Sequence, residues 1–402
     1  MKYFYCALCA FFAATVAVHA QQSPQEEEII TDFGTDEYVY IPKTVLHIGV
    51  RAVSGVKTAF WGQGVVSSTQ AYGAFSGMDI FHNYHDGFVR PDARTQLDAN
   101  GNPRPVSPDG KTNTWAYLDP NQLTSDGMVT MNAYSAAITD TSTRSQNGGN
   151  SLGVDISLTR DIGSLFNTRA RWGVVAGVTL NDINAKTTAY VPTTITTVTD
   201  LYSLDGQVPA AAPYYAPSTS ASQVLDANGN PLVNSTTGAA QTQNVDNSTL
   251  LSSQPLSRTT TTVANNTTSV KNYWKLKGAY MTFRFGPTVF IPITTHFNAS
   301  FSAGAVLVYA GTTYTVMQTY HPATSDDIID TVSDGVSEFL PGFYVDADLN
   351  YTMTETAGMY LGAIYQSSRS YTQNISDLTS SYSTRVDLSR LQGVHAGMSF
   401  KF

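Results

Sequence analysis

Eight segments of this 402-residue chain place an apolar side chain at every second position. Period two belongs to a β-strand whose faces meet different surroundings, because successive side chains point to opposite sides of the sheet. In TVLHIGVRA (44–52), Leu46, Ile48, Val50 and Ala52 oppose His47, Gly49 and Arg51. SLGVDISLT (151–159) sets Leu152, Val154, Ile156 and Leu158 against Asp155 and Ser157, and ARWGVVAGVTLN (170–181) sets Trp172, Val174, Ala176, Val178 and Leu180 against Arg171, Thr179 and Asn181. GAYMTFRFG (278–286) carries Arg284 on its polar face, HFNASFSAGAVLVY (296–309) alternates from Phe297 to Tyr309, and GFYVDADLNY (342–351) carries Asp346 and Asp348. AGMYLGAIYQ (357–366) reads with Met359, Leu361, Ala363 and Tyr365 outward. In GVHAGMSFKF (393–402), Val394, Ala396, Met398, Phe400 and Phe402 oppose His395, Ser399 and Lys401.

Each run is close to the ~9–11 residues of a tilted strand that crosses a bilayer. A soluble sandwich also alternates, so the connections decide. They are short after 151–160, 278–286 and 342–352, and long at 57–147, 182–272, 310–341 and 367–385. Short turns at one end and long loops at the other describe a barrel that spans an outer membrane. Aromatics gather at the short-turn ends: Trp172, Phe283, Phe285, Phe297, Tyr351, Phe400 and Phe402 read as an interfacial girdle. The expected fold is all-β: a transmembrane, antiparallel, up-and-down β-barrel of eight strands over residues 44–402. Ten strands result if 66–82 and 127–139 add a hairpin.

Composition agrees with this reading. Charged residues make up 13% of the chain, well below the ~25% of an ordinary soluble domain. The net charge of −9 gives no reason to expect nucleic acid as a partner. Residues 1–20 read as a secretory signal peptide: Lys2, then an apolar run from Leu8 to Val18, then a small-residue site at Val18-His19-Ala20. Both cysteines, Cys6 and Cys9, lie within it, so the exported chain has none. Residues 21–43 read as a periplasmic N-terminal segment. No later stretch reaches the ~20 apolar residues of a spanning helix.

The signal peptide, the even strand count and the alternating close VHAGMSFKF resemble the bacterial outer-membrane β-barrel proteins, and the count of eight resembles their small OmpA/opacity type. The likeness covers the strands, about a quarter of the chain. It implies an outer-membrane location, contact with outer-membrane lipid and lipopolysaccharide, and delivery by the barrel-assembly machinery. That machinery would recognise Met398, Phe400 and Phe402.

The inward faces supply the candidate site. Arg51, Asp155, Arg171, Arg284, Asp346, Asp348, His395 and Lys401 are expected to form a charge network that plugs the lumen, because an eight-stranded interior is only wide enough for side chains to fill. His47 and His395 should be neighbours across the closure and read as packing. No cofactor and no metal are expected. HNYHD (82–86) offers His82, His85 and Asp86, but one short loop does not fix a ligand geometry. LDANGNP, at 97–103 and 225–231, reads as turn chemistry around Asn-Gly. In 325–339, Asp330, Asp334 and Glu338 recur every fourth residue, which predicts a short amphipathic helix capped by Ser325. Its acidic face would share divalent cations with lipopolysaccharide.

Residues 187–272 are rich in Ser and Thr; TTITTVTD and RTTTTVANNTTSV have high β-propensity and extend the barrel strands, while 205–255 reads as loop. No catalytic grouping, phosphate loop or CxxC is present. The leading functional expectation is a plugged barrel that anchors surface loops with a structural or adhesion role and possible binding of an extracellular ligand. A passive porin or channel and an outer-membrane hydrolase are the alternatives.

Overall fold

The computed structural model describes residues 30–31, 38–39, 44–68, 81–91, 109–166, 169–227, 229–323 and 325–402. The expected signal peptide, most of 21–43 and the first LDANGNP copy lie outside the described residues. Eight strands close into a ring: β1 (Thr44–Ser54), β2 (Ser151–Ser164), β3 (Arg171–Tyr190), β4 (Val270–Pro292), β5 (Phe297–Tyr320), β6 (Ile328–Thr352), β7 (Ala357–Ser368) and β8 (Leu391–Lys401). Each pairs antiparallel with the next, and β8 returns to β1. The seam is made by pairs such as Met398↔Ile48 and Phe400↔Leu46, and the Phe402 N–H donates to the Thr44 carbonyl at 2.9 Å. Among the described residues there is no α-helix, only a 3-10 turn at Pro120–Gln122.

The outward positions of the lower ring form an apolar belt. Val50, Leu152, Leu180, Phe285, Phe301, Phe343, Leu361 and Val394 are all exposed. A belt this continuous is far beyond the apolar patches that soluble monomers show. On β6 it runs from Phe339 to Tyr351, a span about 30 Å tall at a rise of ~3.3 Å per residue and a tilt of ~40°. Aromatic pairs mark both edges. Phe297 and Tyr351 lie 4.9 Å apart at the short-turn end, and Tyr309 and Phe339 lie 4.8 Å apart at the other. Phe283 and Phe285 do not belong to the lower girdle. Their strand continues to Pro292, which leaves them mid-belt opposite Val178 and Ala176.

Above the belt, the strands reverse their faces. On β4 the inward residues change from Arg284 and Thr282 to Tyr280, Leu276 and Trp274, all fully buried, while the outward ones change from Ala279 to Lys277 and Lys275. On β5 the inward side becomes Val308, Ala310, Tyr314 and Val316, and the outward side becomes Thr313 and Thr315. The segments expected as loops at 182–272 and 310–341 therefore contain long strand extensions, since β3 to β6 run on to Tyr190, Val270, Tyr320 and Ile328.

The expected helix over 325–339 is instead part of β6, which pairs with β5 continuously from Tyr320↔Ile328 to Phe297↔Tyr351. A complete backbone ladder outweighs a weak helical periodicity. Further strands complete the head. Lys57–Gln63, Arg144–Asn147, Tyr371–Ser376 and Ser381–Asp387 form one sheet directly above β1, β2, β7 and β8 in the chain. Met128–Ile138 joins Thr193–Ser203, Ser257–Asn266 and Val65–Ser67 in another. Of the two segments that would have made ten strands, 127–139 and the first residues of 66–82 thus belong to this sheet and not to the ring, and 69–80 lies outside the described residues. One large apolar cluster, including Val53, Phe60, Trp274, Tyr280, Tyr314, Tyr382 and Leu391, fills the head directly over the lumen.

Candidate functional site: an ionic ring closing the lumen

The lumen is polar where the wall is greasy, and its centre is Arg284. This guanidinium donates to Asp155 Oδ1 at 2.9 Å and to Asp346 Oδ2 at 3.1 Å, bridging β2 and β6 across the interior. His395, from β8, lies between the same carboxylates. Its Nε2 is 2.9 Å from Asp346 Oδ1 and 3.1 Å from Asp348 Oδ1, and its Nδ1 is 3.2 Å from Asp155 Oδ2. Both ring nitrogens face carboxylate oxygens, as suits an imidazolium, with Nε2 hydrogen-bonded to Asp346 and Nδ1 in a close ionic contact with Asp155 outside hydrogen-bond geometry. Three carboxylates are then balanced by Arg284, His395 and Arg51. The side chains of Arg284, Asp155, Asp346 and His395 are at most 3% exposed, so their charges are set against one another rather than against water.

Neutral groups complete the ring. Arg51 donates to Thr179 Oγ1 at 3.1 Å and Gln366 Oε1 at 3.0 Å, and Gln366 donates onward to Thr282 Oγ1 at 3.2 Å. Ser300 donates to Asp348 Oδ2 and accepts from Asn350. The space for these long side chains comes from inward glycines. A Cβ at Gly362 would lie 2.0 Å from Asp348 Oδ1 and 2.4 Å from His395 Nε2, and one at Gly177 would lie 2.6 Å from Arg284 Nε. A second, small apolar cluster of Val175, Val306, Tyr344 and Ile364 packs within the lumen.

Six of the eight expected lumen residues therefore line one interior, five of them in direct contact. Arg171 is not part of the ring; it pairs with Asp161 near the short-turn end. Lys401 is also separate, donating to Thr352 Oγ1 at 2.9 Å. His47 and His395 do not touch. Tyr360 stands between them, with ring centroids 4.8 Å from His47 and 5.6 Å from His395. Thr179, Thr282, Gln366 and Tyr360 carry no charge, so the alternation alone does not single them out.

Asp346, Asp348 and His395 form the one group among the described residues whose ligand atoms converge closely enough, within 4.8 Å, to hold a metal ion. Arg284 and His395 Nε2 take the two oxygens of Asp346, Ser300 donates to Asp348 Oδ2, and Asp348 Oδ1 has no hydrogen-bond partner. HNYHD does not converge: His85 Nε2 lies 2.8 Å from the Asp326 carbonyl, and Asp86 accepts from Asn132 N and Nδ2 at 2.7 Å each. In the second LDANGNP copy, Gly229 has φ +83° and the Asn230 N–H donates to Asp226 Oδ1, which is a turn.

The head has ionic clusters of its own. Asp200, fully buried, accepts from Arg258 Nε and Nη2 at 2.6 Å each and from the Tyr84 hydroxyl at 2.5 Å. Burial pushes the Tyr84 phenol far up, and its neighbours Tyr202 and Asp200 add to the effect. Asp140 accepts from Arg144, whose guanidinium lies 4.9 Å over the Trp274 ring. Burial pushes the Asp140 carboxyl up, but the Ser142 and Arg144 hydrogen bonds outweigh this and hold it below the ordinary range.

No protein-family model and no curated protein matches the chain. Among solved structures, the outer membrane protease OmpT of Escherichia coli is 8% identical over 93% of this chain and 99% of its own, with a TM-score of 0.27. The outer membrane protein OprG of Pseudomonas aeruginosa is 9% identical over 89% and 97%, with a TM-score of 0.25. A Pseudomonas aeruginosa FadL homologue is 8% identical over 90% and 91%, with a TM-score of 0.18. Likeness this distant says nothing of activity, and the fold described above rests on the strand pairing of this chain.

Proposed function

We propose that this protein is a non-conducting outer-membrane anchor that carries a folded β-rich head on the cell surface. A wall of unpaired backbone cannot face lipid, and a closed antiparallel ring with an apolar exterior is the all-β way to meet that demand. The belt of exposed aliphatic side chains, with aromatic pairs at both edges, supports the membrane reading.

The observation that carries the non-conducting role is the double closure of the lumen. A salt-bridged ring around Arg284 fills it, and the apolar cluster around Trp274, Tyr280 and Tyr314 lies over that ring. An ion would have to displace both. Asp346, Asp348 and His395 are enclosed in the same ring, so they serve the anchor as structure and not as a catalytic carboxylate set. Reconstitution into a planar bilayer tests this. The expected trace is flat; steady single-channel steps in the wild-type protein would overturn the anchor and restore the porin reading.

A further inference from the structure

The reversal of faces on β3 and β4 gathers lysines at one place. The chain has nine, and four of them, Lys186, Lys271, Lys275 and Lys277, stand on the outward side of these two adjacent strands. Lys186 and Lys275 are direct cross-strand partners, Lys277 lies opposite Asn184, and Lys271 lies opposite Tyr190. Like charges placed directly opposite repel each other. The neighbouring β5 places Thr313, Thr315 and Thr319 against Lys277, Lys275 and Lys271. The nearest acid on that face, Asp182, is opposite Ala279 and accepts from Ser151 Oγ at 2.6 Å. Among the described residues no salt bridge engages any of the four.

Several other basic groups above the belt are compensated. Lys57 pairs across strands with Asp387, and Arg385 lies beside the same carboxylate while donating to Ser370 at 2.9 Å. The lysine face differs in lacking such a counter-charge. It also has a definite height. The last belt residues on these strands are Leu180 and Ala279, so Lys277 follows two residues later and Lys275 four. At ~3.3 Å per residue on a strand tilted by ~40°, Lys277 stands about 5 Å beyond the hydrocarbon, in the headgroup layer, Lys275 about 10 Å, its partner Lys186 about 15 Å and Lys271 about 20 Å, so the first three border that layer and can reach down to it along their flexible stems while Lys271 stands clear.

We propose that Lys186, Lys275 and Lys277 form a docking site for the phosphate groups of an outer-leaflet lipid, with Thr313 and Thr315 of β5 as flanking donors. The inference rests on the membrane reading, because only a lipid whose acyl chains lie along the belt presents phosphates at this height. Each lysine near an anionic lipid surface strengthens binding about fivefold.

The test compares full-length wild type with K186Q/K275Q/K277Q and with the matching all-arginine variant. Each is placed in phosphatidylcholine nanodiscs containing a diphosphorylated glycolipid or its dephosphorylated form, and lipid retained by the protein is counted by native mass spectrometry. Wild type and the arginine variant are expected to retain the phosphorylated lipid, with the glutamine variant at least tenfold lower. Equal retention by the glutamine variant, indifference to the phosphates, or displacement by inorganic phosphate alone would overturn the site. A closed membrane barrel is expected to migrate differently on SDS gels before and after boiling, and this heat-dependent shift is read in parallel. Its loss in wild type would instead overturn the membrane reading.

Discussion

The lower and upper halves of β3 to β6 are the same strands in two solvents. Below Leu180 and Ala279 the outside is apolar and the inside holds Arg284, Asp155 and Asp346; above them the outside holds lysine and threonine and the inside holds Trp274, Tyr314 and Val316. The backbone ladder continues through the change without a break between Lys271↔Thr319 and Phe285↔Ala305. A β-strand has no intrinsic inside. Its faces take whatever polarity their surroundings reward, and a shift of pattern by one residue exchanges them. The position of the exchange therefore measures where one solvent stops.

That contrast can be broken from either side. Arg284→Ala leaves Asp155 and Asp346 buried without their cation and is expected to cost about 3–5 kcal/mol. Trp274→Ala in the upper core carries a similar cost, about 3–5 kcal/mol. The two differ in what fails. The first should lower the urea midpoint of the heat-modifiable barrel in detergent micelles; the second should expose the head to limited proteolysis while that barrel band persists. If both lose the band together, the halves fold as one unit and the distinction is false.

A smaller effect sharpens the boundary. Val345→Arg sits mid-belt and should destabilise the lipid-inserted protein by about 2–4 kcal/mol. Ser337→Arg, equally outward on the same strand but above the exchange and opposite Gly311, should stay within about 0.5 kcal/mol. Equal costs, measured by reversible unfolding in vesicles, would mean that the belt is misplaced.

The smallest effect belongs to the head. Asp140 is held below the ordinary carboxylate range, so its contribution is fully present above the unfolded value near pH 4 and is lost as pH falls through its lower folded value. Asp140→Asn should remove about 1 kcal/mol at neutral pH and progressively less as pH falls through that lower folded value. A stability difference that grows on acidification would contradict the sign.

The ring was legible in the sequence because each belt strand exposes an apolar row to lipid, the one pattern that alternation reports directly. All eight segments proved to be strands with the expected faces outward. The upper halves were hidden by the same rule. Once Lys277 and Ser337 turn outward, the apolar row moves inside and the outside looks like a polar loop. In β6, Asp330, Val332, Asp334, Val336 and Glu338 share one face of a strand, yet the acids alone fall at a helical spacing.

Within the lumen, facing was readable and height was not. Arg171 and Lys401 point inward as expected, but the stagger of the strands carries them to the short-turn end, away from Arg284. Register across neighbours decides which inward charges meet. That depends on turn lengths and bulges such as the one between Asp161 and Gly163, which no single strand reveals.

The seam between β1 and β8 has a temporal meaning. Its partners, Thr44–Ser54 and Leu391–Lys401, stand more than three hundred residues apart along the chain. Until β8 arrives, β1 presents a bare edge, and bare edges recruit whatever strand comes first. Such distant pairing is also slow to find unaided. His395 cannot join the carboxylates around Arg284 before then either, since that histidine rides on the last barrel strand. Closure of the wall and completion of the ionic ring are therefore one late event, and an assembly partner has to guard both open edges of the sheet until it happens.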